Sequence, residues 1–197
     1  MPGFTFHSLW PIPVYESEIT VKSEWLDYVS NTEYIRMQTG TADISKDKYI
    51  LNNLPELKKE IETHCEEFMR CLDVVDNATF YLQNSWSVKI NKGDKAAIHG
   101  HSSSLVSGVY YLKKENINSG NLSFHKNQSY INTFPDYITG YDNSATFHST
   151  SGTILLFPSH LEHSVEENES NETRYSLAFN FYVRGKFGKD EYYLEIK

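Results

Sequence analysis

The sequence predicts a mainly β chain with N-terminal helices: helices packed on one face of an antiparallel β-sandwich, in a single domain over residues 1–197. Three observations predict it. Apolar residues recur at three- and four-residue steps in the first third, and at every second position after Asn77. Turn signals at Lys92-Gly93-Asp94, Asn118-Ser119-Gly120, Ser151-Gly152 and Asn168 to Asn171 cut the remainder into short segments, the pattern of a sandwich or barrel. The composition, 39% hydrophobic, 22% charged and 14% aromatic, excludes a disordered, collagen-like or coiled-coil chain.

Residues 4–18 read as an extended arm, with Trp10, Ile12, Val14 and Tyr15 among prolines. Residues 23–37 predict a helix from the spacing of Trp25, Leu26, Val29, Tyr34 and Ile35. Residues 54–73 predict a second helix, in which Leu54, Leu57, Ile61, Cys65, Phe68 and Leu72 form one core-facing stripe. Residues 1–76 are thus the arm and helical layer, and residues 77–197 the β core. Within 79–91, Ser85, Ser87 and Lys89 alternate with Trp86, Val88 and Ile90. Residues 105–112 are rich in β-branched and aromatic side chains, and 121–125, 145–148, 153–157, 162–166 and 173–183 are further strands. In the last, Tyr175, Leu177, Phe179, Phe181 and Val183 share an apolar face that needs a partner, the helices. Arg174, Ser176, Ala178, Asn180 and Tyr182 share the other, and a polar inner face marks a ligand cavity. By the same parity Ser85, Ser87, Lys89 and Asn180 line that cavity, as ordinary hydrogen-bonded lining or as contacts to a ligand.

Eighteen basic and 26 acidic residues give a net charge of −8, which disfavours nucleic-acid binding but permits a local basic pocket. No stretch approaches the roughly 20 apolar residues that span a bilayer, and Met1 to Pro13 lacks the basic and apolar regions of a signal peptide. Cys65 and Cys71 lie six helical residues apart, about 9 Å of rise, beyond disulfide reach. Two reduced cysteines suit a cytoplasmic compartment.

The histidines carry the chemistry. His99 and His101 form an H-x-H pair, and two residues apart on a strand they point to one face. A third His from a distant strand would complete a facial set of metal ligands with open positions, close to the pattern of non-haem Fe(II) oxygenases. Taken alone, the pair also fits a polar loop with two solvated imidazoles. His160 has the wrong parity to join His163 and reads as a loop residue.

The order of motifs adds to this. H-x-H is followed by Ser107-Gly108-Val109-Tyr110-Tyr111-Leu112, Gly120-Asn121-Leu122-Ser123-Phe124, Ser151-Gly152-Thr153-Ile154-Leu155-Leu156-Phe157, His163 and Thr173-Arg174-Tyr175-Ser176. This order, over residues 84–184, resembles the 2-oxoglutarate- and Fe(II)-dependent dioxygenases, in their prolyl-hydroxylase-like branch. The resemblance implies a double-stranded β-helix core, a cupin-like jelly roll, with Fe(II) as metal and 2-oxoglutarate as co-substrate. It implies iron ligation by His99 and His163, and pairing of Arg174 with the far carboxylate of 2-oxoglutarate. Tyr111 is implied to donate its phenol to that carboxylate, and Ser176, on the same strand face as Arg174, offers it a hydroxyl. His101 is the departure, because the family carries Asp there. Either three histidines hold the metal, or His101 stands off it, or another residue such as His125 supplies the third ligand. A bulky His does not make the room that a halide-binding variant needs.

The implied activity is hydroxylation of an unactivated C–H bond with release of succinate and CO2, on a small molecule or peptide, with molecular oxygen and without nucleic acid or membrane. A dimer is compatible with the sequence. The loops Lys92 to Ile98 and Gln128 to Ser144 are the expected rim of the site. A non-catalytic jelly-roll metal- or ligand-binding protein that has lost the metal-binding carboxylate is the rival.

Overall fold

A computed structural model describes residues 12–38, 40–72, 78–116, 118–126, 144–189 and 192–196. The chain runs β1 (Tyr15–Glu18), α1 (Ser23–Ser30), β2 (Tyr34–Arg36), β3 (Asp43–Ser45), a short 3-10 turn (Ile50–Asn53) and α2 (Pro55–Cys71). The strands β4 (Ala78–Ile90), β5 (Ala96–His99), β6 (Val106–Lys113), β7 (Leu122–His125) and β8 (Ser144–Phe147) follow. The last are β9 (Thr153–Pro158), β10 (His163–Val165), β11 (Arg174–Lys189) and β12 (Tyr192–Ile196). Paired strands are antiparallel throughout. One sheet has the order β1-β9-β6-β11-β4-β3-β2 with β12 added to β11, and the other the order β5-β10-β7-β8.

The large sheet buries both of its faces, which is why β6 and β9 read as unbroken apolar runs. One face, with Tyr110, Leu112, Ile154, Leu156, Leu177 and Phe179, packs on Trp25 and Val29 of α1 and Leu57, Ile61, Cys65 and Phe68 of α2. The other face, with Val109, Tyr111, Leu155 and Phe157, meets Leu122 and Phe124 of the small sheet. Neighbouring residues such as Tyr110 and Tyr111 therefore enter different cores. Proline at the first turn of α2 suits a position that needs no backbone donor.

Three expectations are corrected. The first helix ends at Ser30, not at residue 37. Asn31 turns its amide back to the Asp27 carbonyl at 2.8 Å, and Tyr34–Arg36 pairs with β3 instead. Tyr34 fits the helical spacing, yet its hydroxyl donates to the Val29 carbonyl at 3.0 Å and meets Ser87 Oγ at 2.7 Å. Sheet pairing over a distance has overridden local periodicity. Second, Ser87 and Lys89 do not line the inner cavity, and nor does Ser85. Ser85 Oγ accepts from the Leu51 amide at 3.1 Å, and Lys89 Nζ lies 5.6 Å from the Tyr34 ring, both on the helical side. The register Ala178↔Trp86 and Ser176↔Val88 puts Trp86 and Val88 on the inner face. Third, the segment Lys92 to Ile98, expected as a loop, contains most of β5.

The proposed rim segment Gln128 to Asn143 and arm residues 4–11 fall outside the described residues. Cys65 and Cys71 are free thiols, the first buried and the second exposed. Among the described residues no helix is long and apolar enough to cross a membrane.

Candidate metal centre and anion pocket

The small sheet brings the histidines together. His163 pairs directly with His99 across β10 and β5, so the two side chains share a face. His101 follows β5, tied by its backbone amide to the Ser159 carbonyl at 2.9 Å. The ring centroids are 4.4 Å apart for His99 and His163, 5.4 Å for His99 and His101, and 5.2 Å for His101 and His163. One nitrogen from each lies within 4.8 Å of the others.

The protonation of each ring follows from its partner. His99 Nδ1 lies 2.8 Å from the Ala97 carbonyl, and His163 Nδ1 lies 2.9 Å from the Leu161 carbonyl. A carbonyl only accepts, so each Nδ1 carries the proton and each Nε2 keeps a lone pair. His101 Nδ1 lies 2.7 Å from Asn180 Oδ1 and 2.9 Å from Ser107 Oγ. Burial, aided by the neighbouring His99, pushes His163 down to about 3. Burial also lowers His101. Both rings are therefore neutral at pH 7, as metal ligation requires. Three imidazoles whose nitrogens converge on one point suit a divalent transition metal.

The same cavity runs between the sheets, past Trp86, Val88, Phe157 and Ala178, to Arg174 and Ser176. Arg174 is 2% exposed. One terminal nitrogen donates to the Gly120 carbonyl at 2.7 Å, and the guanidinium carbon sits 4.9 Å from the Tyr111 ring centre. Among the described residues, Arg174 Nε and the Tyr111 hydroxyl are buried without a hydrogen-bond partner. Buried donors are rarely left so, and these two suit a carboxylate. Register places Ser176 beside Tyr111, on the face of Arg174.

Lys114, which the sequence did not single out, lies behind this pocket at 1% exposure. Its ammonium donates to the Ser149 carbonyl at 2.7 Å, Asn121 Oδ1 at 3.0 Å and the Asn116 carbonyl at 3.3 Å. Burial first, and the Arg174 charge second, push it down to about 8. His125 is not part of the cluster; its Nε2 lies 2.8 Å from Ser164 Oγ. His160 is exposed in a turn.

Comparison with known proteins follows this geometry. Residues 84–180 match the family described as "Putative 2OG-Fe(II) oxygenase". Over these residues the chain is similar to the 2OG-Fe(II) oxygenase family. The matched span begins in β4 and ends at Asn180, and contains all three clustered histidines and Arg174. Solved structures share the fold at low identity. HygX from Streptomyces hygroscopicus, with nickel and 2-oxoglutarate bound, is 13% identical with a TM-score of 0.61, over 86% of this chain and 82% of its own. The α-ketoglutarate-dependent epimerase SnoN from nogalamycin biosynthesis is 14% identical with a TM-score of 0.62, over 87% and 76%. A Pseudomonas putida prolyl-4-hydroxylase is 14% identical with a TM-score of 0.56, over 88% and 94%. No curated protein matches the chain.

Proposed function

We propose that this protein is an oxygenase that uses Fe(II) and 2-oxoglutarate to hydroxylate a C–H bond of a small molecule or peptide, releasing succinate and CO2. One observation carries the proposal: three clustered histidines face one cavity that ends at a buried arginine with an unused N–H. The two antiparallel sheets are read as a double-stranded β-helix within one domain, with the helical layer outside it.

His99, His101 and His163 would hold the metal through Nε2. When bound, the iron and its co-substrate supply the oxidation by dioxygen, and the chain supplies position and shelter. Arg174 donates to the far carboxylate of 2-oxoglutarate, Tyr111 adds its phenol proton, and Ser176 offers a hydroxyl on the same face. Trp86, Val88 and Phe157 wall the cavity with apolar surface and keep water from the reacting atoms.

Anaerobic titration of the protein with Fe(II) and then 2-oxoglutarate tests this. A weak visible charge-transfer band is expected, and succinate on admission of oxygen. No band and no succinate would leave the non-catalytic binding protein as the answer. Arg174→Ala is expected to weaken 2-oxoglutarate binding about 30-fold or more, since removing one partner of a buried charge pair costs roughly 2 kcal/mol or above. Unchanged affinity removes Arg174 from its role.

A further inference from the structure

The three histidines are not secured alike. His99 and His163 each give their Nδ1 proton to the backbone carbonyl two residues earlier. No substitution of a side chain removes those acceptors. His101 has side chains instead: Asn180 Oδ1 at 2.7 Å and, farther off, Ser107 Oγ at 2.9 Å. We propose that Asn180 is a positioning residue that fixes the proton of His101 on Nδ1, and so makes His101 the third metal-binding nitrogen in place of a carboxylate. This rests on the metal site proposed above.

The local structure is built for that contact. Asn180 is 4% exposed and sits on the inner face of β11. Its own amide is held in one orientation, because Nδ2 donates to Asn84 Oδ1 at 2.8 Å. Ser107 Oγ donates to Asn180 Oδ1 at 2.7 Å and lies 2.8 Å from Ser159 Oγ. The backbone provides the alignment: the register of β11 against β4 shifts between Asn180 and Phe181, so Asn84 faces Asn180 while Leu82 faces Phe181. A bulge of this kind re-aims side chains beside a site. The reversed amide would offer N–H to Nδ1, move the ring proton to Nε2 and block ligation. Asn84, Asn180 and His101 therefore form a relay in which one amide orientation decides whether the cluster has two nitrogens or three.

The test uses Co(II), titrated anaerobically into the full chain and read by its visible absorption. His99→Ala serves as the control and must lose binding. Asn180→Leu is expected to weaken Co(II) binding about 10–100-fold, the usual cost of removing a partner behind a ligand. Asn180→Asp keeps an acceptor and is expected to bind within about threefold of the natural protein. In a His101→Ala background, Asn180→Leu is expected to add nothing, because its effect passes through His101. Equal losses from Asn180→Leu with and without His101, or no loss at all, would overturn the proposal. Long-range proton–nitrogen NMR of labelled histidines in the natural metal-free protein is independent of any variant. A proton on Nδ1 of His101 is expected, and a proton on Nε2 overturns the proposal. Co(II) binding by three histidines without succinate formation would sink the oxygenase function and leave this inference standing.

Discussion

Lys114 and Arg174 are two cations buried side by side, and neither forms an ion pair among the described residues. Carbonyl oxygens and one amide oxygen compensate them only in part. With its ionisation pushed down to about 8, Lys114 is charged at pH 7 and loses that charge as pH rises through 8. A bound dianion favours the charged form. Affinity for 2-oxoglutarate is therefore expected to fall as pH climbs from 7 to 9.5, measured by calorimetry on the metal-loaded protein; a flat profile would detach Lys114 from the pocket. Gly120 supports the same corner. Its φ of +77° favours glycine, and a Cβ there would lie 2.6 Å from the Glu166 carbonyl and 3.4 Å from the Arg174 guanidinium. Gly120→Ala is expected to cost about 1–3 kcal/mol in urea unfolding. Arg174 was legible in the sequence because its strand has one polar and one apolar face. Lys114 was not, since a lysine just past a strand end reads as a solvated side chain.

At the scale of elements, periodicity named the long strand β4 but not the direction of its faces. Ser85 and Ser87 look like cavity lining, yet both are fully buried against the helical side, where they take the Leu51 amide and the Tyr34 hydroxyl. Both faces of β4 are covered, so polarity could not say which one met the site; only pairing with Ala178 and Ser176 could. α2 was legible almost to the residue because its stripe is long and one-sided. β5 was not, because its four residues hold two ladder positions and no hydrophobic alternation. The centre of the large sheet is packed closely enough to test. A Cβ on Gly108 would fall 2.3 Å from the Phe179 ring and 2.7 Å from Leu156. Gly108→Ala is expected to cost about 1–3 kcal/mol by overpacking, read from denaturant midpoints. A loss below about 0.5 kcal/mol would mean that Phe179 turns aside freely.

For the whole molecule, burying neutral histidines links stability to pH. The folded His163 sits at about 3, against an ordinary value near 6.5. Between these values the unfolded chain takes up a proton that the folded chain refuses. Stability of the metal-free protein is thus expected to fall as pH drops from 6.5 toward 3, with lowered His101 and His64 acting in the same direction. Melting temperature against pH checks this; a rise on acidification contradicts it. A divalent metal at a hundred times its Kd would add about 2.7 kcal/mol. The general plan was readable because the motifs fall on strands in a fixed order. The large sheet's edge at β2 and β3 was not, since three-residue strands carry too little pattern. The cavity lining among the described residues contains no acid, only imidazoles, an arginine, a serine and apolar groups. Under the proposed function, a fixed cationic end of this kind would hold any four- or five-carbon diacid by charge alone. Product and co-substrate would then compete on nearly equal terms in the metal-free protein, and only loading the three nitrogens would let the keto group tell them apart.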